Sequence, residues 1–335
     1  MQIRRNRLLI VAPFRDEDAF YETMTTRLDA DIELLNYTTN RAVSRGVWRR
    51  HAIILLMAFR AFRKSGDKEM ILFGEQFVGL YYALFCRLFF WVRNPSRSMV
   101  LQLIYNRKTG LMGACYRAIY GWLIESPSLN YLICHASLER EYYRTEFGEA
   151  TGKKVVFVPF GRNTPEKPDA AKPVAADRYF FSGGTSNRDY KTLADAFRGI
   201  RARLVIACHA NDIKGLDLPD NVTVRHDVFG DLFQDHIDKA YAVILPILRN
   251  DVSAGQLVLI DAMRSGKASI VTSGSCMEDY VDRSCAVSVP RQDAQALAEA
   301  VSYLEANEAV CARLGSAARL RYEHEFARRA FAERL

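Results

Sequence analysis

Short apolar runs of strand length alternate with longer amphipathic stretches along nearly the whole chain, which is the pattern of parallel α/β layers. In the first half, residues 7–13, 32–37, 70–73, 99–104, 129–134 and 155–158 predict strands. Helices are predicted between them near 19–28 and over 48–64, 77–92, 111–124 and 138–147. Ser137 is expected to cap the last helix, with Glu139 and Glu141 in its first turn. The pattern restarts at 179–182 and continues through strands 203–208, 222–224, 242–247, 268–272 and 286–289. Helices 191–199, 233–240, 257–264 and 293–304 fall between or after these strands, and 307–335 reads as a charged, mostly helical tail. Between the two sets, 164–176 carries Pro165, Pro168 and Pro173 and reads as a linker. The prediction is α/β with two doubly wound Rossmann-like domains: 1–163, a linker at 164–177, 178–320, and a final helix at 321–335.

Composition supports an ordered chain. With 335 residues, 49% hydrophobic and 25% charged, it is long enough for two domains and too apolar for disorder. The seven cysteines form no CxxC pair and have no histidine at zinc-ligand spacing, so they are expected to be reduced core residues of a cytoplasmic protein. Arg4, Arg5 and Arg7 are followed by too short an apolar run for a signal peptide, and the apolar stretch 77–92, broken by Arg87, is too short to span a bilayer.

Charge changes the picture more. Residues 1–165 hold 24 Lys and Arg against 15 Asp and Glu, while the remainder holds 22 against 24. The first half is therefore expected to meet something anionic, such as a phospholipid surface or a pyrophosphate-linked acceptor. No recognition motif for nucleic acid accompanies the charge, so nucleic acid is not expected as a partner. On a helix over 48–64, Arg49, Arg50, Arg60, Arg63 and Lys64 fall within an arc of roughly 140°, with Ile53, Leu56 and Met57 between them. Such a segment either lies on an anionic membrane at the inner face or is a buried helix with solvated ends.

Candidate chemistry concentrates at two strand-to-helix turns. After strand 242–247 comes a loop with Asp251, Ser253, Ala254 and Gly255, and then a helix that carries Asp261. The first amides of a helix have no partner within it, so those around Ser253, Ala254, Gly255 and Gln256 are suited to an anion. Asp261 is placed to accept hydrogen bonds from hydroxyls of the same ligand. An unliganded crossover would look the same. The second turn follows strand 179–182, where Gly183 and Gly184 permit close approach and Arg188 offers a bidentate cation. This turn is neither GxGxxG nor a Walker loop. Glu75 is predicted at the C-terminal edge of strand 70–73, where α/β folds bind ligands, as a lone carboxylate. His209 and His226 stand at strand ends, as ligand contacts or as solvated loop residues.

The order VILPI, SAGQ, DAMRSGKASIV resembles the donor-site segment of GT-B glycosyltransferases of the family-4 type, and 155–161 resembles the close of their first domain. The resemblance implies two domains facing a cleft, with a nucleoside-diphosphate sugar on the second and a glycan or lipid-linked acceptor on the first. It sets Asp261 at the second Glu of the Glu-x7-Glu pair, implied to bind ribose, and Ser253 at the first, with Asp251 as a possible substitute. Arg188 matches the basic residue that holds the diphosphate, and the loop with Val228 is implied to pass the base. No Asp-x-Asp motif stands at a candidate donor loop, so neither metal nor cofactor is expected. The implied activity is retaining hexosyl transfer in surface polysaccharide or glycolipid assembly. An inverting enzyme would need a base, for which Asp16 or Glu75 is the choice. The alternatives are a degenerate scaffold that binds without turnover, which Ser253 favours, and a sugar-nucleotide epimerase.

Overall fold

Leu8 to Ala12 are consecutive buried residues, with no polar position between them. A strand reads this way when helices cover both faces of a parallel sheet. The computed structural model describes residues 6–13, 18–37, 46–92, 96–162, 178–226, 228–250 and 253–335. Asp16, Asp251 and the whole of the expected linker, 164–177, lie outside them. The chain divides into two compact units, Met1–Val158 with Ala332–Leu335, and Pro159–Phe331.

The first unit holds one parallel six-stranded sheet. Its strands are β1 (Asn6–Ala12), β2 (Ala30–Asn36), β3 (Met70–Phe73), β4 (Arg97–Val100), β5 (Tyr131–Cys134) and β6 (Val155–Phe157), in the order β2-β1-β3-β4-β5-β6. The connecting helices are α1 (Asp18–Leu28), α2 (Val47–Lys64), α3 (Gln76–Leu88), α4 (Gly110–Ile124), α5 (Ser137–Phe147) and the single turn α6 (Glu149–Gly152). The chain leaves β1 for β2 and then returns past it to β3, so the crossover direction reverses at the β1–β3 pair. Phe73, Tyr82, Tyr120 and Tyr143 are the largest side chains buried under these helices.

The second unit repeats the plan with β7 (Phe180–Gly183), β8 (Leu204–Ala207), β9 (Val222–Arg225), β10 (Ala242–Leu245), β11 (Ala268–Thr272) and β12 (Ala286–Val289). Its order, β12-β11-β10-β7-β8-β9, is that of the dinucleotide-binding folds, with the reversal between β7 and β10. Helices α7 (Tyr190–Arg198), α8 (Asp231–Lys239), α9 (Gln256–Arg264), α10 (Ala294–Ala306) and α11 (Glu308–Arg321) surround it. A π-helical turn, Tyr322–Phe326, leads to α12 (Arg328–Arg334).

Several sequence expectations need correction. Strand 99–104 is observed as Arg97–Val100; beyond it the amides of Leu101 and Leu103 still donate to the Phe73 and Ile133 carbonyls at 2.8 Å, while those of Ile104 and Tyr105 turn to Gln76 Oε1 (2.8 Å) and Tyr143 Oη (2.9 Å). Ala136, not Ser137, is the N-cap of α5, and Glu139 turns back to accept from the His135 amide at 3.3 Å. All seven cysteines are free, but Cys115 is exposed on α4 and Cys86 half-buried, so only five are core residues. No helix among the described residues is long and apolar enough to cross a membrane.

His135 is buried beyond the end of β5, where its Nδ1–H donates to the Val158 carbonyl at 2.8 Å. Burial pushes its pKa down to about 4, against the opposing pull of the Val158 and Leu101 carbonyls. An unfolded histidine titrates near 6.5, so between there and about 4 the unfolded chain takes a proton that the folded one refuses. Stability is therefore full above pH 6.5 and falls by about 3 kcal/mol toward pH 4 through this group. His135→Asn keeps a donor for Val158 and is expected to flatten that acid limb in urea unfolding at pH 7 and 4.5. Parallel losses in both proteins would refute the assignment.

Candidate active site

The site in the second unit is built where β7 and β10 end side by side. Gly184 follows β7 at φ +113°, and Gly255 caps α9 at φ +94°, left-handed conformations that cost a side-chain-bearing residue energy. At Gly184 a Cβ would lie 2.7 Å from Arg188 Nη2, and at Gly255 one would lie 3.6 Å from Arg188 Nη1. The two glycine turns predicted from sequence therefore meet on one guanidinium.

Backbone pairing holds them there. Arg188 and Ile247 form an antiparallel bridge, and the Asp189 amide donates to the Pro246 carbonyl at 2.9 Å. Asn187 adopts φ +56° and bonds with both its main chain and side chain to 248–249: Leu248 N–H to its carbonyl (3.2 Å), its Nδ2 to the Arg249 carbonyl (2.7 Å), and Arg249 N–H to its Oδ1 (2.9 Å). Asp189 is buried and caps α7 by accepting from the Thr192 amide at 3.0 Å.

Arg188 Nε donates to the Gly183 carbonyl (3.0 Å) and Nη1 to the Ser186 carbonyl (2.7 Å). Nη2 has no acceptor, and no carboxylate pairs with the guanidinium, among the described residues. Burial lowers its pKa, yet a guanidinium starts high enough to remain a cation. A partly buried, unneutralised cation is costly, so this arrangement calls for an anion.

The helix end beside it supplies further donors. The first bond of α9 runs from the Leu259 amide to the Gly255 carbonyl at 3.0 Å, which leaves the amides of Gln256, Leu257 and Val258 at the open end. Cys276 fixes the loop before it: Ala254 N–H donates to the sulfur at 3.5 Å, and the thiol donates to the Ala254 carbonyl at 3.3 Å. Ser253 Oγ accepts from Gln256 Nε2. Asp261, one and a half turns into α9, is buried and pairs through Oδ2 with Arg162 Nη1 at 3.1 Å.

His209 lies at the end of β8, half-buried, with its ring 5.8 Å from that of Phe229, which is 54% exposed in the loop containing Val228. Its amide donates to Asp212 Oδ2 at 2.9 Å, so His209 caps a short 3-10 turn. His226 turns back to the Cys208 carbonyl at 2.9 Å. In the first unit, Glu75 sits at the β1–β3 reversal as N-cap of α3. It is not the lone carboxylate expected, since it pairs with Arg50 and accepts from Tyr37 Oη at 3.3 Å.

Sequence reasoning missed Arg162, Cys276 and Phe229. Arg162 and Asp261 are 99 residues apart, and no local spacing joins them. Phe229 carried a usable signal, an aromatic next to Val228 past a strand end.

Residues 176–307 match the family model described as Glycosyl transferases group 1. Solved structures match over nearly the whole chain. Sucrose-phosphate synthase from Thermosynechococcus elongatus superposes with a TM-score of 0.70 at 15% identity, covering 98% of this chain and 97% of its own. The chain has the GT-B glycosyltransferase fold. Anabaena HepE in complex with UDP gives 0.65 at 10% identity, covering 98% of each chain. A glycosyltransferase from Rickettsia africae ESF-5 gives 0.62 at 12%, covering 99% and 97%. No curated protein matches the sequence. At these identities the likeness to other GT-B structures establishes the fold, while the group 1 match falls on the unit that carries Arg188 and α9.

Proposed function

We propose that the protein moves a sugar from a nucleoside-diphosphate sugar to a glycan or lipid-linked saccharide, in surface polysaccharide or glycolipid assembly. The unneutralised Arg188 cation between two glycine turns and a helix N-terminus carries this reading. HepE has been solved with UDP and with UDP-glucose, which is consistent with such a donor. As the anomeric C–O bond breaks, the electron pair leaves with the diphosphate. Arg188 and the amides at the start of α9 stabilise that growing negative charge, and no metal is required. The acceptor oxygen bonds to the anomeric carbon and passes its proton to the departing diphosphate oxygen. Asp261 receives the ribose hydroxyls, oriented by Arg162, and His209, Val228 and Phe229 flank the base. Ser253 stands where the family-4 type has a sugar-binding Glu, and we propose that hexosyl transfer is retaining. Inversion would assign the base to Glu75 or Asp16.

The same substitution at Ser253 favours a second reading, a scaffold that binds donor without turnover. Release of nucleoside diphosphate from a panel of nucleotide-sugars, with and without saccharide acceptors, separates the two. Asp261→Ala is expected to weaken nucleoside diphosphate binding about tenfold in calorimetric titration, the scale of a charge-assisted hydrogen bond. Failure of the unaltered protein to bind any nucleoside diphosphate would end both readings.

We also propose that α2 meets an anionic membrane surface. Arg50 and Lys64 are spent on Glu75 and Glu33, and Met57 faces the core, which corrects the face expected from sequence. Leu56 is exposed as expected, and Trp48, Leu55 and Phe59 are exposed with it, beside Arg49, Arg60 and Arg63, which have no acidic partner among the described residues.

A further inference from the structure

The opposite edge of the first sheet, where strands begin, holds a second site. An open cavity of about 640 Å³ lies between the C-terminal ends of α3 and α4 and the first residues of β4. Arg87 and Arg97 line it together with Phe90, Val92, Trp122 and Ser128, and no acidic residue does so among the described ones. The Arg87 guanidinium lies over the Trp122 ring, 4.5 Å from its centroid, and its buried Nε has no hydrogen-bond partner. Arg97 has no ion pair among the described residues. The carbonyls at the end of α4 would repel an anion, but Lys154 Nζ donates to those of Ile124, Glu125 and Ser126 at 3.3, 3.1 and 2.7 Å. Burial, and then the charge of Arg87, lowers the Lys154 pKa.

The rim is apolar. Phe90 is 80% exposed and Trp91 67%, with Leu88 and Val92 beside them. Rings run from Phe90 to Trp91 (5.2 Å), Phe89 (5.5 Å), Phe85 (6.5 Å) and Phe59 of α2 (5.3 Å). A chain of ring contacts thus joins the cavity rim to Phe59 on the exposed stripe of α2.

We propose that this cavity takes the phosphate-bearing headgroup of an anionic lipid, with Arg87 and Arg97 on the phosphate and Phe90, Trp91 and Val92 in the acyl boundary. An arginine beside an unpaired guanidinium, amphipathic aromatics at the lip, and no carboxylate form a complement to a negative head with an apolar tail. The inference builds on the membrane reading of α2 and is independent of the donor site.

Vesicle sedimentation tests it, with phosphatidylglycerol against phosphatidylcholine. Arg87→Gln and Arg97→Gln are each expected to lower affinity for phosphatidylglycerol about fivefold, with binding to phosphatidylcholine weak and unchanged. Arg97 is exposed, so its variant keeps the test valid if Arg87→Gln fails to fold. In a Trp48→Phe, Trp91→Phe background, Trp122 is the sole remaining tryptophan, and brominated phosphatidylglycerol is expected to quench it. Wild-type affinity in both arginine variants would overturn the headgroup site while leaving α2 standing. Absence of vesicle binding in the unaltered protein would overturn both. Binding of inorganic phosphate through these arginines without vesicle binding would mean a free-anion site and would overturn the lipid assignment.

Discussion

Arg188→Ala is expected to weaken nucleoside diphosphate binding by about 2–3 kcal/mol, roughly 30- to 150-fold in Kd, in the range for truncating one side of a desolvated charge contact. The Gly183 and Ser186 carbonyls hold the guanidinium before any ligand arrives, so little rotamer freedom remains to be lost on binding. Lysine has the charge but not the fork, and Arg188→Lys is expected to recover only part of the affinity. Gly184→Ala gives an independent route to the same loss, because its Cβ would lie 2.7 Å from Nη2 and push the cation aside while leaving it in the protein. Calorimetric titration with a panel of nucleoside diphosphates reads all three. Unaltered affinity in Arg188→Ala would mean that the anion site lies elsewhere.

The largest stability effect is expected at Gly315. A Cβ there would lie 2.1 Å from the Gly266 carbonyl oxygen and 3.2 Å from the Ala268 nitrogen, so α11 rests directly on the turn that joins α9 to β11. Main-chain atoms at that distance have no rotamer by which to withdraw. Gly315→Ala is expected to cost about 3 kcal/mol, at the upper end for overpacking. For a unit of this size that is a fall of roughly 10 °C in Tm. The variant is also expected to shift α9, whose first amides form the proposed donor site, so nucleoside diphosphate affinity should decline with it. A Tm within 2 °C of the unaltered protein, on the roughly 2–4 °C per kcal/mol scale, would show that the contact relaxes cheaply.

Strand positions were legible because buried parallel strands are short, mainly apolar runs: β3 is wholly apolar, β11 and β12 carry one or two small hydroxyl residues, and all three lie where the sequence places them. The meeting of two glycine turns on Arg188 was legible as residue types at strand ends, since a doubly wound sheet brings such ends together at its reversal. What holds the turns was not. The bonding pattern of Asn187 depends on its left-handed backbone, and the Cys276 contact joins residues 22 apart that share no periodicity. Arg50 and Lys64 illustrate the limit of reading charge from a helical wheel. Each lies on the basic arc, but acidic side chains from β2 and from the loop after β3 neutralise them, and those partners become neighbours only once the sheet forms. Phe59 is exposed and Met57 buried according to which face of α2 packs on its neighbours, and composition does not specify that face.

The suture between residues 187–189 and 246–249 has a kinetic consequence. Loops of separate crossovers ordinarily fluctuate on their own clocks, but here neither can lift without breaking its bonds to the other. The two segments are therefore expected to open as one cooperative block, so that hydrogen exchange of their amides reports a single shared opening free energy.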